Sequence, residues 1–187
     1  RKDNLLVKNH FNRKSVENLL EDANTLDNNS LYSKYDFNDT SDWKLNDKKK
    51  LFVIGDIDNI QPVQYRPFDT RYTYYPLDKI SEIIPRGDSR RTLMGNFLAD
   101  NIGLVFTRMN RQISQGYFFI STQLTDLHIL DSAADSTVVS PLYLYAKDGS
   151  RTPNLKTDIV DYIEKIVGKV SSEDTFDYIY AVLHSPR

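Results

Sequence analysis

Cysteine is absent from the 187 residues. That excludes disulfides and every thiolate site for zinc or an iron–sulfur cluster, and it fits a cytoplasmic protein. No apolar run approaches 18 residues, so no membrane-spanning helix is expected. The opening stretch RKDNLLVKNHFNRK is charged and lacks the apolar core of a secretory signal. A phosphate loop needs two glycines around Lys-Ser/Thr so that backbone amides can wrap the anion. In IEKIVGKVSS no glycine stands five positions before Gly168, and Val170 follows Lys169, so the stretch reads as a helix with a polar end. A methyl-donor site would need a glycine-rich strand–helix turn and an Asn/Asp-Pro-Pro-Tyr motif, and the chain has neither.

Metal and acid–base signatures are equally sparse. His10, His128 and His184 stand far apart without ligand spacing and read as surface or cap residues. Asp56 and Asp58 alternate in GDIDNI, but a calcium loop would need a third oxygen ligand at Ile60 and a glycine after it. A strand end followed by a turn explains the pair better. DYIEKI lacks the acid spacing of a metal nuclease. An independent enzyme, such as a nuclease, is therefore the weakest of three functional readings.

What the chain does have is aromatic rings and a local excess of arginine. Apolar residues make up 40% and aromatics 12%, with twelve tyrosines, nine phenylalanines and one tryptophan. The length suits one domain with a sizeable core. Net charge is −2, which argues against a generic nucleic-acid binder, but the charge is unevenly spread. Residues 61–120 carry eight basic and five acidic side chains, while 121–187 carry six and ten. Seven of the eleven arginines fall between Arg66 and Arg111.

Periodicity predicts an α+β fold: a mixed, largely antiparallel twisted sheet with an embedded helix and two C-terminal helices. NRKSVENLLEDANTL predicts a first helix capped by Ser15, with Leu19, Leu20 and Ala23 on one side. The polar run from Asp27 to Lys50 predicts an ordered loop or short helix, and KKLFVIGDI a strand entering the core. QPVQYRPF and TRYTYY predict two strands or a hairpin, with Pro62 and Pro67 favouring a sheet edge. SEIIPRGDSRRTLMGNFLADN predicts a loop and a helix from about Ser89, with Leu93, Met94, Phe97 and Leu98 inward. IGLVFTRM, GYFFISTQL and STVVSPLYLYA predict strands, and KDGSRTPN a turn. The next helix should bury Ile159, Ile163 and Ile166, and SSED starts the last helix with a capping box.

The arginine and tyrosine set suggests contact with nucleic acid. Arginine's planar fork matches phosphate or the two guanine acceptors of the major groove, and tyrosine offers a hydroxyl and a stacking face. In YRPFDTRYTYY, Tyr65 and the pair Arg66 and Arg71 surround a Pro-Phe-Asp corner. PRGDSRR sets Arg86, Arg90 and Arg91 in a glycine-containing loop before a helix start, a natural anion site. TRMNR sets Arg108 and Arg111 around a turn between strands. Composition leaves a second reading open, in which Asp69 and Arg71 form a structural ion pair and the tyrosines are half-buried strand residues.

The residues carry a resemblance. RKDNLLVKNHF, SDWKL, YRPFDTRYTYY, IPRGDSRRTLM, NIGLVFTRMNRQ, SPLYLYA with TPNL, and DTFDYIYAVLHSPR occur in this order. Together they resemble the C-terminal target-recognition region of type ISP restriction–modification enzymes and related bacterial helicase/adenine-methylase proteins. YRPFDTRY and YIYAVLHSP are the most specific parts. The resemblance implies that residues 1–187 are one target-recognition domain cut from a longer polypeptide, with the methyltransferase N-terminal to it. It implies a non-catalytic reader of double-stranded DNA, with no cofactor of its own. The parent would use S-adenosylmethionine, ATP and Mg²⁺, and the domain's other partners would be the methyltransferase and coupler domains of the same polypeptide. Tyr65, Arg66, Arg71, Arg86, Arg90, Arg91, Arg108 and Arg111 are the candidate DNA contacts. A recurring signature can be scaffold, so the base-reading residues are expected in Lys44–Lys50, Arg86–Arg91 and Arg108–Gln115. The alternative is an interaction module that braces the methyltransferase or helicase, since Tyr and Arg also dominate protein interfaces.

Overall fold

A computed structural model describes residues 10, 12–41, 43–84, 91–107, 117–130 and 137–185. The described residues form an α+β fold of seven α-helices and three small, largely antiparallel sheets.

Helix α1 (Arg13–Thr25) buries Val16, Leu19, Leu20 and Ala23, one stripe at helical spacing. Its cap is Asn12 rather than Ser15: the Asn12 side chain accepts from the Ser15 amide at 2.9 Å. The Ser15 hydroxyl donates to the Asn12 carbonyl at 2.7 Å, so the helix starts three residues earlier than expected. Helix α2 (Asn28–Tyr35) follows, capped by Asp27 and ended by Asp36 at φ 49. A line of rings, His10, Tyr35, Phe37 and Trp43, then runs into the core. Trp43 is fully buried and donates its indole N–H to the Ile83 carbonyl at 2.9 Å.

The expected strand KKLFVIGDI does not form. After α3 (Leu45–Lys48) the chain makes a 3₁₀ turn, Lys49–Leu51, a left-handed turn at Gly55 (φ 75) and a second 3₁₀ turn, Ile57–Asn59. Phe52 alone of its apolar residues is fully buried, and Val53, Ile54 and Ile57 face solvent. Asp56 is held by the Tyr74 hydroxyl at 2.6 Å and by the Asn59 side chain, so it is a turn carboxylate.

The first sheet is ordered β2-β1-β5, from β1 (Ile60–Arg66), β2 (Asp69–Tyr74) and β5 (Leu124–Thr125). Strands β1 and β2 are the expected hairpin, paired Ile60↔Tyr74 to Arg66↔Asp69 with an irregularity between Gln64 and Arg66. Pro62 nonetheless lies in the central strand, against expectation. Its opposite residue, Tyr72, donates outward to the His10 carbonyl at 2.9 Å, so this position carries no ladder bond that proline would break. Strand β5 joins only from Val63 onward.

The second sheet, β4-β3-β6, contains β3 (Gly103–Thr107), β4 (Phe118–Ser121) and β6 (Thr137–Pro141). The single strand expected over STVVSPLYLYA is two: β6 ends at Pro141 and β7 (Tyr143–Tyr145) pairs with β8 (Arg151–Pro153) in a third sheet. The cause is Asn101. Its side-chain amide accepts from the Tyr143 N–H at 3.1 Å and donates to the Tyr143 carbonyl at 2.8 Å, replacing a strand partner where the chain changes sheets.

Two one-turn helices, α4 (Ile80–Ile83) and α5 (Arg91–Met94), flank residues 85–90. Helix α4 lies where a loop was expected. Helix α5 tightens into a 3₁₀ turn at Gly95–Phe97, which rotates the later side chains: Met94 and Phe97 are buried but Leu98 is exposed. Helix α6 (Thr157–Val167) forms as expected, yet Ile159 and Ile166 face solvent and Ile163 is only partly buried, because no described element packs over their stripe. Helix α7 (Ser172–Leu183) begins with the expected capping box, Ser171 and Asp174, and buries Phe176 against Leu142 and Tyr143. No described helix is long and apolar enough to cross a membrane.

Candidate nucleic-acid interface

The hairpin β1–β2 ends in a two-residue turn, Pro67–Phe68, closed by the pair Arg66↔Asp69. Behind it the Tyr65 ring is buried. The guanidinium carbons of both Arg66 and Arg71 lie 4.0 Å from its centroid, close enough for cation–π attraction. Each cation is also held by an acid. Arg66 donates to Asp126 at 3.0 Å, and the Asp126 side chain is only 2% exposed. Arg71 forks onto Asp69, with Nε 3.1 Å from both oxygens and Nη2 2.8 Å from Oδ2. The structural ion pair contemplated for Asp69 and Arg71 is thus present. Tyr65, Arg66 and Arg71 form a rigid, charge-compensated platform that sets the direction of the turn.

The described ends of the remaining candidate segments gather near this platform. Thr107 and Thr137, which border residues 108–116 and 131–136, are paired across β3 and β6. The Thr137 amide donates to the Leu127 carbonyl, next to Asp126. Ile84 and Met94, on either side of 85–90, line a shallow cavity with Asp126 and Thr125. The Phe68 ring meets Phe119 edge-on at 6.1 Å, close to the root of the β3–β4 connection. Arg91 is described and lies exposed at the start of α5. Arg86, Arg90, Arg108 and Arg111 lie outside the described residues, as do the rest of 85–90 and 108–116.

The lysine segment behaves differently from end to end. Lys44 and Lys50 are exposed, while Lys49 turns back and donates to the Leu26 carbonyl at the end of α1. Of the histidines, His184 ends α7 and approaches the Phe118 carbonyl at 3.2 Å. His10 is buried, not a surface residue, because its neighbours Tyr35 and β2 close over it. Burial pushes its imidazole down from 6.5 to about 4. Among the described residues no group of three or more His, Asp or Glu side chains could hold a metal ion. Asp126 was not anticipated: sixty residues separate it from Arg66, and no local pattern marks the pair.

Among the described residues, the arrangement is thus a braced hairpin tip on an α+β scaffold. The chain belongs to the family of Type ISP C-terminal specificity domains, whose model matches residues 2–187. No curated protein matches the sequence. The fold is similar to part of the cryo-EM structure of a DrdV–DNA complex, at 18% identity and a TM-score of 0.63 over 97% of this chain. It is also similar to part of the ATP-dependent Type ISP restriction–modification enzyme LlaBIII bound to DNA, at 17% identity and a TM-score of 0.62 over 94%. The matched regions span 18% and 12% of those two chains.

Proposed function

We propose that this chain reads the sequence of double-stranded DNA for a restriction–modification polypeptide. It does no chemistry itself and holds the target site for adenine-N6 methylation, cleavage or both by other domains. The observation that carries this reading is the specificity-domain family match over residues 2–187. The DNA-bound state of the two similar structures is in keeping with it. Arg86, Arg90, Arg91, Arg108 and Arg111 supply the contacts to phosphates and base edges, and Tyr65, Arg66 and Arg71 brace the β1–β2 hairpin. S-adenosylmethionine, ATP and Mg²⁺ belong to other domains of the parent, which works in the cytoplasm beside the DNA it reads.

The test is fluorescence anisotropy on a random-sequence duplex pool titrated with salt, with the bound fraction sequenced. Steeply salt-dependent binding that enriches a motif of several base pairs is the expected result. Salt-insensitive or absent binding would remove the reading.

A second role, bracing the methyltransferase or helicase domain, is favoured by one observation. Helix α6 exposes Ile159, Tyr162, Ile166 and Val167 at helical spacing, beside the acids Asp158, Asp161 and Glu164. Such a face repels phosphate and suits a protein groove. Both roles can coexist, since α6 and the β1–β2 turn are different elements of the fold.

A further inference from the structure

Phe68 is the most exposed large apolar residue described, with 94% of its surface in solvent. It is also one of two non-glycine residues with positive φ among the described residues, at 65°. In the turn Arg66-Pro67-Phe68-Asp69 it occupies the third position, behind a proline, at a positive φ that favours glycine or asparagine. A phenylalanine here is doubly unfavourable: the ring is almost wholly exposed apart from its edge contact with Phe119, and the backbone is strained. Folding alone would favour glycine. The turn is nevertheless held firmly, by the proline, by Arg66 on Asp126, and by Arg71 on Asp69. A rigid mount under a strained, exposed ring suggests that the ring is used.

We propose that Phe68 is a stacking wedge, which on duplex DNA inserts into the base stack at the recognised site. The inference rests on the DNA-reading function above and deepens it. One protruding ring is far too small for a stable protein interface, which needs about 800 Å² from each partner. It matches the gap opened by unstacking one base step, where apolar wedges of other DNA-binding proteins enter. The ring stands in the basic third of the chain and meets Phe119 near the root of the β3–β4 connection, so arginine-to-phosphate contacts made by this part of the chain would help hold the duplex against the tip.

The experiment compares wild type with Phe68→Ala, Phe68→Gly and Phe68→Tyr on the random-sequence duplex pool. The enriched duplex then carries 2-aminopurine at successive steps. Wild type and Phe68→Tyr should brighten the probe at one step. Phe68→Ala and Phe68→Gly should abolish that signal and weaken binding about tenfold, in line with the loss of one base–aromatic stack. Phe68→Gly should also raise the melting temperature by relieving the turn, which separates lost function from lost folding. Unchanged affinity and probe signal in Phe68→Gly would overturn the wedge, leave DNA reading standing, and assign the ring to a protein contact. Weaker binding with no bright step in wild type would also overturn it. Failure of wild type to bind the pool at any salt would overturn DNA reading, and the wedge with it.

Discussion

The Arg66 guanidinium and the Asp126 carboxylate meet at 3.0 Å, joining the end of β1 to the residue after β5. Asp126 is buried, accepts a second bond from the His128 amide at 2.9 Å, and donates its own amide to the Gln64 carbonyl at 3.0 Å. Removing the cation leaves a buried carboxylate with less compensation. Arg66→Ala should therefore cost roughly 3 kcal/mol of stability, read by urea denaturation, and Arg66→Lys should cost less. A loss near zero would mean that water reaches Asp126 and that the pair is not a brace.

The strand β3 makes a second sharp prediction. A Cβ on Gly103 would lie 2.5 Å from Phe97 Cζ and 3.0 Å from the Ser140 carbonyl oxygen. Backbone fills one side and a buried ring the other, so neither yields freely. Gly103→Ala should destabilise by about 1–3 kcal/mol, and adding Phe97→Leu should recover part of it. Gly149→Ala, at φ 83 with open space around it, should cost only the backbone strain, about 1 kcal/mol. Thermal unfolding of the three variants checks the order.

These relationships show where sequence patterns suffice and where they stop. The β1–β2 hairpin was legible because a Pro-Phe-Asp corner separates two β-rich runs. The stripe of α1 was legible because its period is local. The strand expected over KKLFVIGDI failed because a short apolar run without alternation does not say whether a partner strand exists; here only Phe52 enters the core. Helix α6 was placed correctly, but amphipathicity shows that a face exists and not what covers it. Residue type singled out Tyr65, Arg66 and Arg71, which the fold does bring together. The division of labour among them was not legible, because it depends on Asp126, which only the tertiary fold brings to Arg66.

Acid should weaken the fold through His10. The unfolded chain takes up a proton near pH 6.5, whereas the buried imidazole resists it until about 4. Between those values the unfolded state binds more protons, so stability falls as pH drops through that window and levels off below it. The full effect is roughly 3 kcal/mol at about 1.4 kcal/mol per pH unit. Urea denaturation at several pH values between 7.5 and 4 should show this slope in wild type, and His10→Gln should flatten it. Equal slopes would show that another group carries the acid sensitivity.

The last prediction separates arginines that build the platform from those proposed to touch DNA. Arg66 is tied to a buried acid, whereas Arg91 is exposed at the start of α5. Arg91→Ala should leave stability within about 0.5 kcal/mol of wild type. If Arg91 neutralises a phosphate, the slope of log affinity against log salt should fall by about 0.9, with all sequences weakened alike. An arginine among Arg86, Arg90, Arg108 and Arg111 that reads a base should instead relax one position of the enriched motif, costing roughly 1–3 kcal/mol there. Alanine at each of the five, measured by anisotropy on matched and singly mismatched duplexes, makes the assignment. A uniform loss on every duplex for all five would place base reading elsewhere, with Lys44 and Lys50 next in line because both are exposed, one just before α3 and one in the 3₁₀ turn after it.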